Sequence, residues 1–520
     1  MASTANLRSR RSAAELHALA GVEREIRAVD AHSRRKYLRE FNQAFRSYDC
    51  LLDSSQVSEA VRSADIVLIG DYHALPSAQR YAASLLEQRA LAGDRRVVFA
   101  AETVYARDQH ILDEWWRREI DDAELRQRIR FDLDWGYDWA PFHEVLVAAR
   151  DHAEALYGLD CMPREDLRKI GARDRHAAAK IAEIHARHLG AVILVLFGES
   201  HLAPGHLPRA LRELVPDPKI LTVLQNIDAL YWRAAGERAD KVEAVRVKDD
   251  VLCVFNSTPL EKYESYRLFL DQWSRCENDR DFAPTIYNLI DSLANFLAIN
   301  RYSPHNSTQP RFLVDLLPEV HGTASEASLR RSLVNRGMTQ EQLESLLAGI
   351  EIRGSAYIPQ VNAFCVRNLQ MMHAAEDVAR FLHHACQGLP ARPDRNAVDE
   401  FYVLVIEHAV AYFGSRVLYP SRPAPDAGEL GTLSRAACTK AARAAARGGH
   451  NELESTAQRW GYRIGSDIYD AYLSGKVTPR GLRRLFLTHL DEPGVARKVC
   501  ATVISKLRAL SRPQARAAHA

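Results

Sequence analysis

Two short segments carry the residues best suited to chemistry. Gly70-Asp71-Tyr72-His73 and Gly198-Glu199-Ser200-His201 share a G-x-x-H spacing, and each follows an apolar run: DIVLIG (65–70) and AVILVLFGE (191–199). Two further runs end in acids, RVVFAAE (96–102) at Glu102 and EALYGLD (154–160) at Asp160. Runs apolar at nearly every position suit parallel strands buried on both faces. Open parallel sheets bind ligands at the carboxyl ends of their strands. The spacing therefore predicts one polar site holding His73, Glu102, Glu199 and His201, with Asp71 and Asp160 nearby. A glycine at each strand exit lets the backbone bend sharply and carry the histidine over the sheet edge.

Two chemistries fit that residue set. His73, Glu102 and His201 make a divalent-metal triad, with Glu199 beside it as base or outer partner. The same residues suit metal-free acid–base work, because a carboxylate orients a histidine and raises its basicity. Any one of these side chains taken alone is explained equally well as a helix cap. The segment DWGYDWAPFH (134–143) supplies Trp135, Tyr137, Trp139, Phe142 and His143, which either wall a pocket for a flat ligand or plug the loop against the sheet. Phosphate-loop, dinucleotide, H-E-x-x-H and G-x-S-x-G motifs are absent from the sequence.

Strand alternating with helix must position these residues, and the sequence has that pattern from residue 63 to 258. A fifth run, KILTVLQ (219–225), follows the G-E-S-H segment, and VEAVRV (242–247) and VLCVF (251–255) read as a closing hairpin. Residues 1–62 read as helices. From about Leu260 strand signals vanish, and 259–520 reads as a large helical region broken at Pro304/Pro310, Pro318, Gly354/Pro359, 388–395 and 421–431. The expected fold is an open, mostly parallel α/β sheet flanked by helices, followed by that all-helical region.

Composition sets outer limits. The chain has 520 residues, 47% apolar and 26% charged, with a formal charge of +2. This is the profile of a globular protein of more than one domain. A near-zero balance gives no argument for nucleic acid or a membrane surface, and neither partner is expected. The eight cysteines show no C-x-x-C, no signal-like apolar segment opens the chain, and no apolar run reaches membrane-spanning length. A cytoplasmic location is expected.

Three stretches resemble the ChaN-like haem-binding family of the Tiki superfamily. These are VLIGDYHALPSAQRYAASLLEQ (67–88), DWGYDWAPFHEVLVAAR (134–150) and VILVLFGESHLAPGHLPRAL (192–211), together spanning about 65–255. The resemblance implies an α/β fold and a haem or iron ligand. Its axial donors would come from Tyr72, His73 and His201, beside Trp135, Tyr137 and Trp139. It equally implies a relationship to Tiki-type and erythromycin-esterase-type hydrolases, in which a His/Glu/His set with or without metal does the work. Here that set is His73, Glu102 and His201, with Glu199 assisting. This chain differs in carrying Asp71 where relatives often have Glu, and in its added helical region. Three functions are weighed: haem or iron binding, hydrolysis, and a non-catalytic scaffold. The ligand would be haem or a small molecule, and a homo-oligomer would form through the helices.

Overall fold

The structure is a computed structural model describing residues 4–30, 36–161, 170–237, 242–275, 280–299, 316–323, 325–387, 395–425 and 433–511. The chain divides into two compact units. One is Glu23–Leu270; the other combines Met1–Val22 with Asp271–Ala520. The N-terminal helical segment is thus shared between the units at residue 22.

The Glu23–Leu270 unit is built on an eight-stranded sheet. Its strands are β1 (Cys50–Leu52), β2 (Ile66–Asp71), β3 (Val97–Tyr105), β4 (Ala155–Asp160), β5 (Val192–Gly198), β6 (Ile220–Gln225), β7 (Ala244–Lys248) and β8 (Val251–Val254). Their order is β1-β7-β8-β6-β2-β5-β3-β4. The pairs from β8 through β4 are all parallel, and β7 closes on β8 as the expected antiparallel hairpin. Strand β1, at the far edge, falls in a stretch read as helical. It is three residues long and pairs antiparallel with β7. So short a strand has no periodicity to read.

Successive residues of each strand serve opposite cores. Val67, Ile69, Leu194 and Leu196 pack with the helices Pro76–Leu91 and Trp139–His152. Ile66, Leu68, Ile193 and Val195 pack with the helices Ile170–Arg187 and Leu207–Leu214. Helices on both faces explain why the strands are apolar throughout: a residue facing either way leaves water, gaining about 25 cal/mol per Å² of apolar area. Strands β2, β5 and β3 are consecutive in the sheet, so residues leaving their carboxyl ends converge.

The second unit is mainly helical. Its central helix, Ala397–Leu418, is long and apolar enough by composition to cross a membrane, yet every residue from Phe401 to Leu418 is buried. Against it lies the helix His450–Leu473, whose Gly465 lets the backbones touch. A Cβ there would stand 2.6 Å from the Ala409 carbonyl oxygen. The unit's core also holds an ion cluster. Glu376 accepts from Tyr462 Oη at 2.6 Å and pairs with Arg422 Nη2 at 2.9 Å. Burial opposes its ionisation, but Arg422, Arg353 and Arg380 hold the carboxyl far below its usual range.

This unit is not wholly helical. Strands β9 (Glu319–His321), β10 (Ser355–Ile358) and β11 (Ala363–Val366) form a small sheet in the order β10-β11-β9. Each is three or four residues long, too short to leave a strand signal among helical periodicities. The breaks expected at Pro304/Pro310 lie outside the described residues, as do most of 388–395 and 426–431 of the last expected break.

Candidate functional site

The strand ends bring His73, Glu102 and His201 together. Glu102 projects from β3 between the two histidines. His73 Nε2 lies 3.9 Å from Glu102 Oε2, and His201 Nε2 lies 3.8 Å from Glu102 Oε1. Each imidazole is held from behind by an aspartate. His73 Nδ1 is 2.7 Å from Asp71 Oδ2, and His201 Nδ1 is 2.6 Å from Asp174 Oδ1. A neutral imidazole that donates Nδ1–H to its aspartate keeps a lone pair on Nε2. Both Nε2 atoms face the same carboxylate, whose charge favours the protonated form of His73.

Glu102 is fixed and ionised. Its Oε1 accepts from Arg173 Nη2 at 2.5 Å, and its Oε2 accepts from the Gly198 N–H at 2.6 Å. Arg173 also forks onto Asp160 at 2.9 and 3.0 Å, so the acid closing β4 orients the arginine. Burial alone would push the Glu102 carboxyl upward. The charges of His201, Arg173 and His73 and the Gly198 N–H outweigh it and hold it at about 2. The absence of a side chain at residue 198 makes room: a Cβ there would lie 3.0 Å from Glu102 Oε2 and 3.2 Å from the His73 ring.

The histidines differ in access. The His201 side chain is 5% exposed, and that of His73 23%. His201 is closed in by Tyr37, whose hydroxyl donates to Asp174 Oδ2 at 2.7 Å and whose ring stacks on His206 at 3.7 Å. His73 stands against Trp135 and Tyr137, with ring centroids 4.5 and 5.2 Å away. Burial presses its pKa down, but the Asp71 and Glu102 carboxylates prevail and raise it above 6.5.

Glu199 and Tyr72 form an adjoining buried layer. Glu199 Oε1 pairs with Lys262 Nζ at 2.9 Å, and the Lys262 ammonium lies over the Tyr72 ring at 4.6 Å. Burial raises the Glu199 carboxyl above its usual range, although Lys262 pulls the other way. Burial also raises the Tyr72 hydroxyl well above its ordinary value. Trp139 packs on Phe131 and His143 instead, at 4.8 and 5.2 Å. Of the three aromatics expected to wall a ligand, Trp135 and Tyr137 reach His73.

Among the described residues no group of three or more His, Cys, Asp and Glu side chains is arranged to hold a metal ion. Glu102 shows why: its two oxygens are engaged by a guanidinium and a backbone N–H. Haem asks for something different, an accessible donor beside apolar surface. His73 meets that with its aspartate behind it and the Trp135/Tyr137 wall beside it, whereas His201 is enclosed.

Sequence reading missed Arg173, Asp174, Tyr37 and Lys262. The first two are adjacent charges on the helix after β4, and both are buried. Nothing in the local sequence marks Arg173 and Asp174 as buried, since adjacent charges on a helix are mostly exposed.

The fold and site define an α/β domain, wound on both faces, with a charged, histidine-flanked centre at the strand ends. Residues 57–191 match the family described as haem-binding uptake, Tiki superfamily, ChaN. The match takes in His73, Glu102, Trp135, Arg173 and Asp174 and stops before Gly198–His201. A solved structure titled "Cofacial heme binding to ChaN of Campylobacter jejuni" is similar at 14% identity, covering 34% of this chain and 86% of that one, with a TM-score of 0.28. No curated protein matches the chain.

Proposed function

We propose that the strand-end cluster is an acid–base site that hydrolyses a small polar substrate. One observation carries this reading: two aspartate-backed imidazoles direct Nε2 at opposite oxygens of a single ionised carboxylate, and one of them reaches solvent. In this scheme Asp71 fixes the tautomer of His73, whose Nε2 takes a proton from water as that water attacks. Glu102 stabilises the imidazolium that forms, and His73 returns the proton to the leaving group. His201 and Arg173 keep Glu102 charged.

The test is turnover of ester, peptide and phosphoester panels by the full chain. A general base of this kind contributes on the order of 10²–10⁴-fold, and His73→Ala should lose that much. The active form has His73 neutral, so activity should rise with pH through a midpoint above 6.5. Asp71→Asn removes the foremost upward push on His73 and should move that midpoint down. A wild-type chain inert to every panel, or a midpoint unmoved by Asp71→Asn, overturns the reading.

Haem binding is the second reading, supported by the family match over 57–191 and by the aromatic pair against His73. His73 would hold the haem iron, with Asp71 strengthening it as a donor and Trp135 and Tyr137 beside it. Bound haem would supply redox and oxygen chemistry. Hemin titration should then shift the Soret band in wild type and in Trp139→Ala, but not in His73→Ala. A shift that survives His73→Ala rules out this site as the haem site.

A further inference from the structure

The charge of +2 for the whole chain hides a strong regional imbalance. Residues 433–520 hold sixteen Lys and Arg against six Asp and Glu, a balance of +10, which leaves residues 1–432 at −8. Part of this excess is gathered on one helix, Arg435–Ala445, and the turn after it. Arg435, Ala436, Thr439, Lys440, Arg443 and Arg447 line a shallow groove of about 530 Å³. All four cations are exposed, and among the described residues none makes an ion pair. The other face of the helix is buried through Cys438, Ala442 and Ala445, so Lys440, Arg443 and Arg447 lie on the exposed face while Arg435 reaches the neighbouring helix.

The neighbouring helix Val495–Ser511 extends the patch. Arg435 Nε donates to the Ala501 carbonyl at 3.1 Å, which fixes the two helices side by side. Exposed Lys498 lies three residues before Ala501 and so shares its face. Lys440 and Arg443, three residues apart, and Arg443 and Arg447, four apart, repel one another at a cost of a few tenths of a kcal/mol per pair unless an external anion lies against them.

We propose that this face binds the phosphate backbone of duplex nucleic acid without regard to sequence. The twelve-residue step from Arg435 to Arg447 covers about 18 Å at helical rise. A duplex carries one negative charge per ~1.7 Å of its axis, so that length holds on the order of ten phosphates, of which a single face meets a few. The residues between the cations argue against other polyanions. Ala436 and Thr439 offer no large apolar group to insert into a bilayer, and no aromatic side chain lines the groove to stack on single-stranded bases.

The test is fluorescence anisotropy of a labelled mixed-sequence duplex titrated with the full chain over a range of salt. Three to four phosphate contacts predict a log–log salt slope of about −3. The variant Lys440→Glu/Arg443→Glu/Arg447→Glu should weaken binding about tenfold or more. A control, Arg187→Glu/Arg209→Glu, reverses exposed charges in the other unit and should leave binding intact. Circular dichroism checks that both variants keep their helix content. The proposal is overturned by absent or salt-independent binding, by equal loss in the control, by equal competition from polyglutamate, or by a preference for phosphatidylserine vesicles over duplex.

Discussion

Arg173→Met is expected to lower folding stability by about 3–5 kcal/mol at neutral pH, the usual cost of removing one partner from a buried ion pair. The guanidinium lies between two carboxylates, Glu102 and Asp160, that are each nearly fully buried. Methionine fills similar volume, so the loss reports charge more than packing. Acid should narrow the gap. The Glu102 carboxyl sits at about 2 in the folded chain, against an ordinary 4.5. A depressed carboxyl stabilises the fold above its unfolded pKa, and that share fades as pH falls toward the folded value. Without Arg173 the depression shrinks, so the variant has less to lose on acidification. Urea denaturation at neutral pH and again near pH 3 measures both effects. Arg173→Lys should fall between wild type and Arg173→Met, because an ammonium keeps the charge but cannot fork onto both carboxylates. A neutral-pH loss under about 1 kcal/mol would remove Arg173 from the groups that keep Glu102 ionised, leaving His201 and His73.

The sheet was legible in the sequence because strands covered on both faces are apolar at every position. β2 through β6 fall within a residue or so of the expected runs except at the end of β3, which runs on to Tyr105. The convergence of His73, Glu102 and His201 followed from register alone, since adjacent parallel strands deliver their exits to one edge. The supporting charges did not follow, because no local pattern separates Arg173 and Asp174 from an exposed helical pair. Their burial depends on a helix crossing the strand ends, which is a tertiary fact. Glu199 shows the same limit from the other side. It shares the G-x-x-H register with Asp71, yet it faces Lys262 rather than a histidine. Tyr37 is further still, 164 residues from the histidine it covers.

Lys262 lies beyond the point where the α/β pattern ends in sequence, yet Lys262→Met should be among the most destabilising substitutions in the chain. The helix Pro259–Arg275 carries its ammonium into the Glu23–Leu270 unit, where it is buried against Glu199 Oε1 and stands 3.4 Å from the Asn226 carbonyl. Methionine would leave Glu199 buried with no counter-charge, at about 3–5 kcal/mol. Among the described residues the second Glu199 oxygen has no hydrogen-bond partner, so Lys262 is the carboxylate's chief support there. Protonation offers partial relief: burial already raises the Glu199 carboxyl, and removing Lys262 raises it further. The variant should therefore recover more stability as pH falls toward 5 than wild type, whose carboxyl Lys262 keeps less raised. Glu199→Gln alone leaves the ammonium unpaired and should cost a similar amount. The double variant removes both charges and should cost less than the sum of the two single losses by about 2 kcal/mol or more, the coupling expected of a buried pair. Chemical denaturation of the four chains closes this cycle. Additive losses would mean that Lys262 acts through its stem packing on Tyr72, and the Glu199–Lys262 pair would then have no part in holding the layer beneath His73.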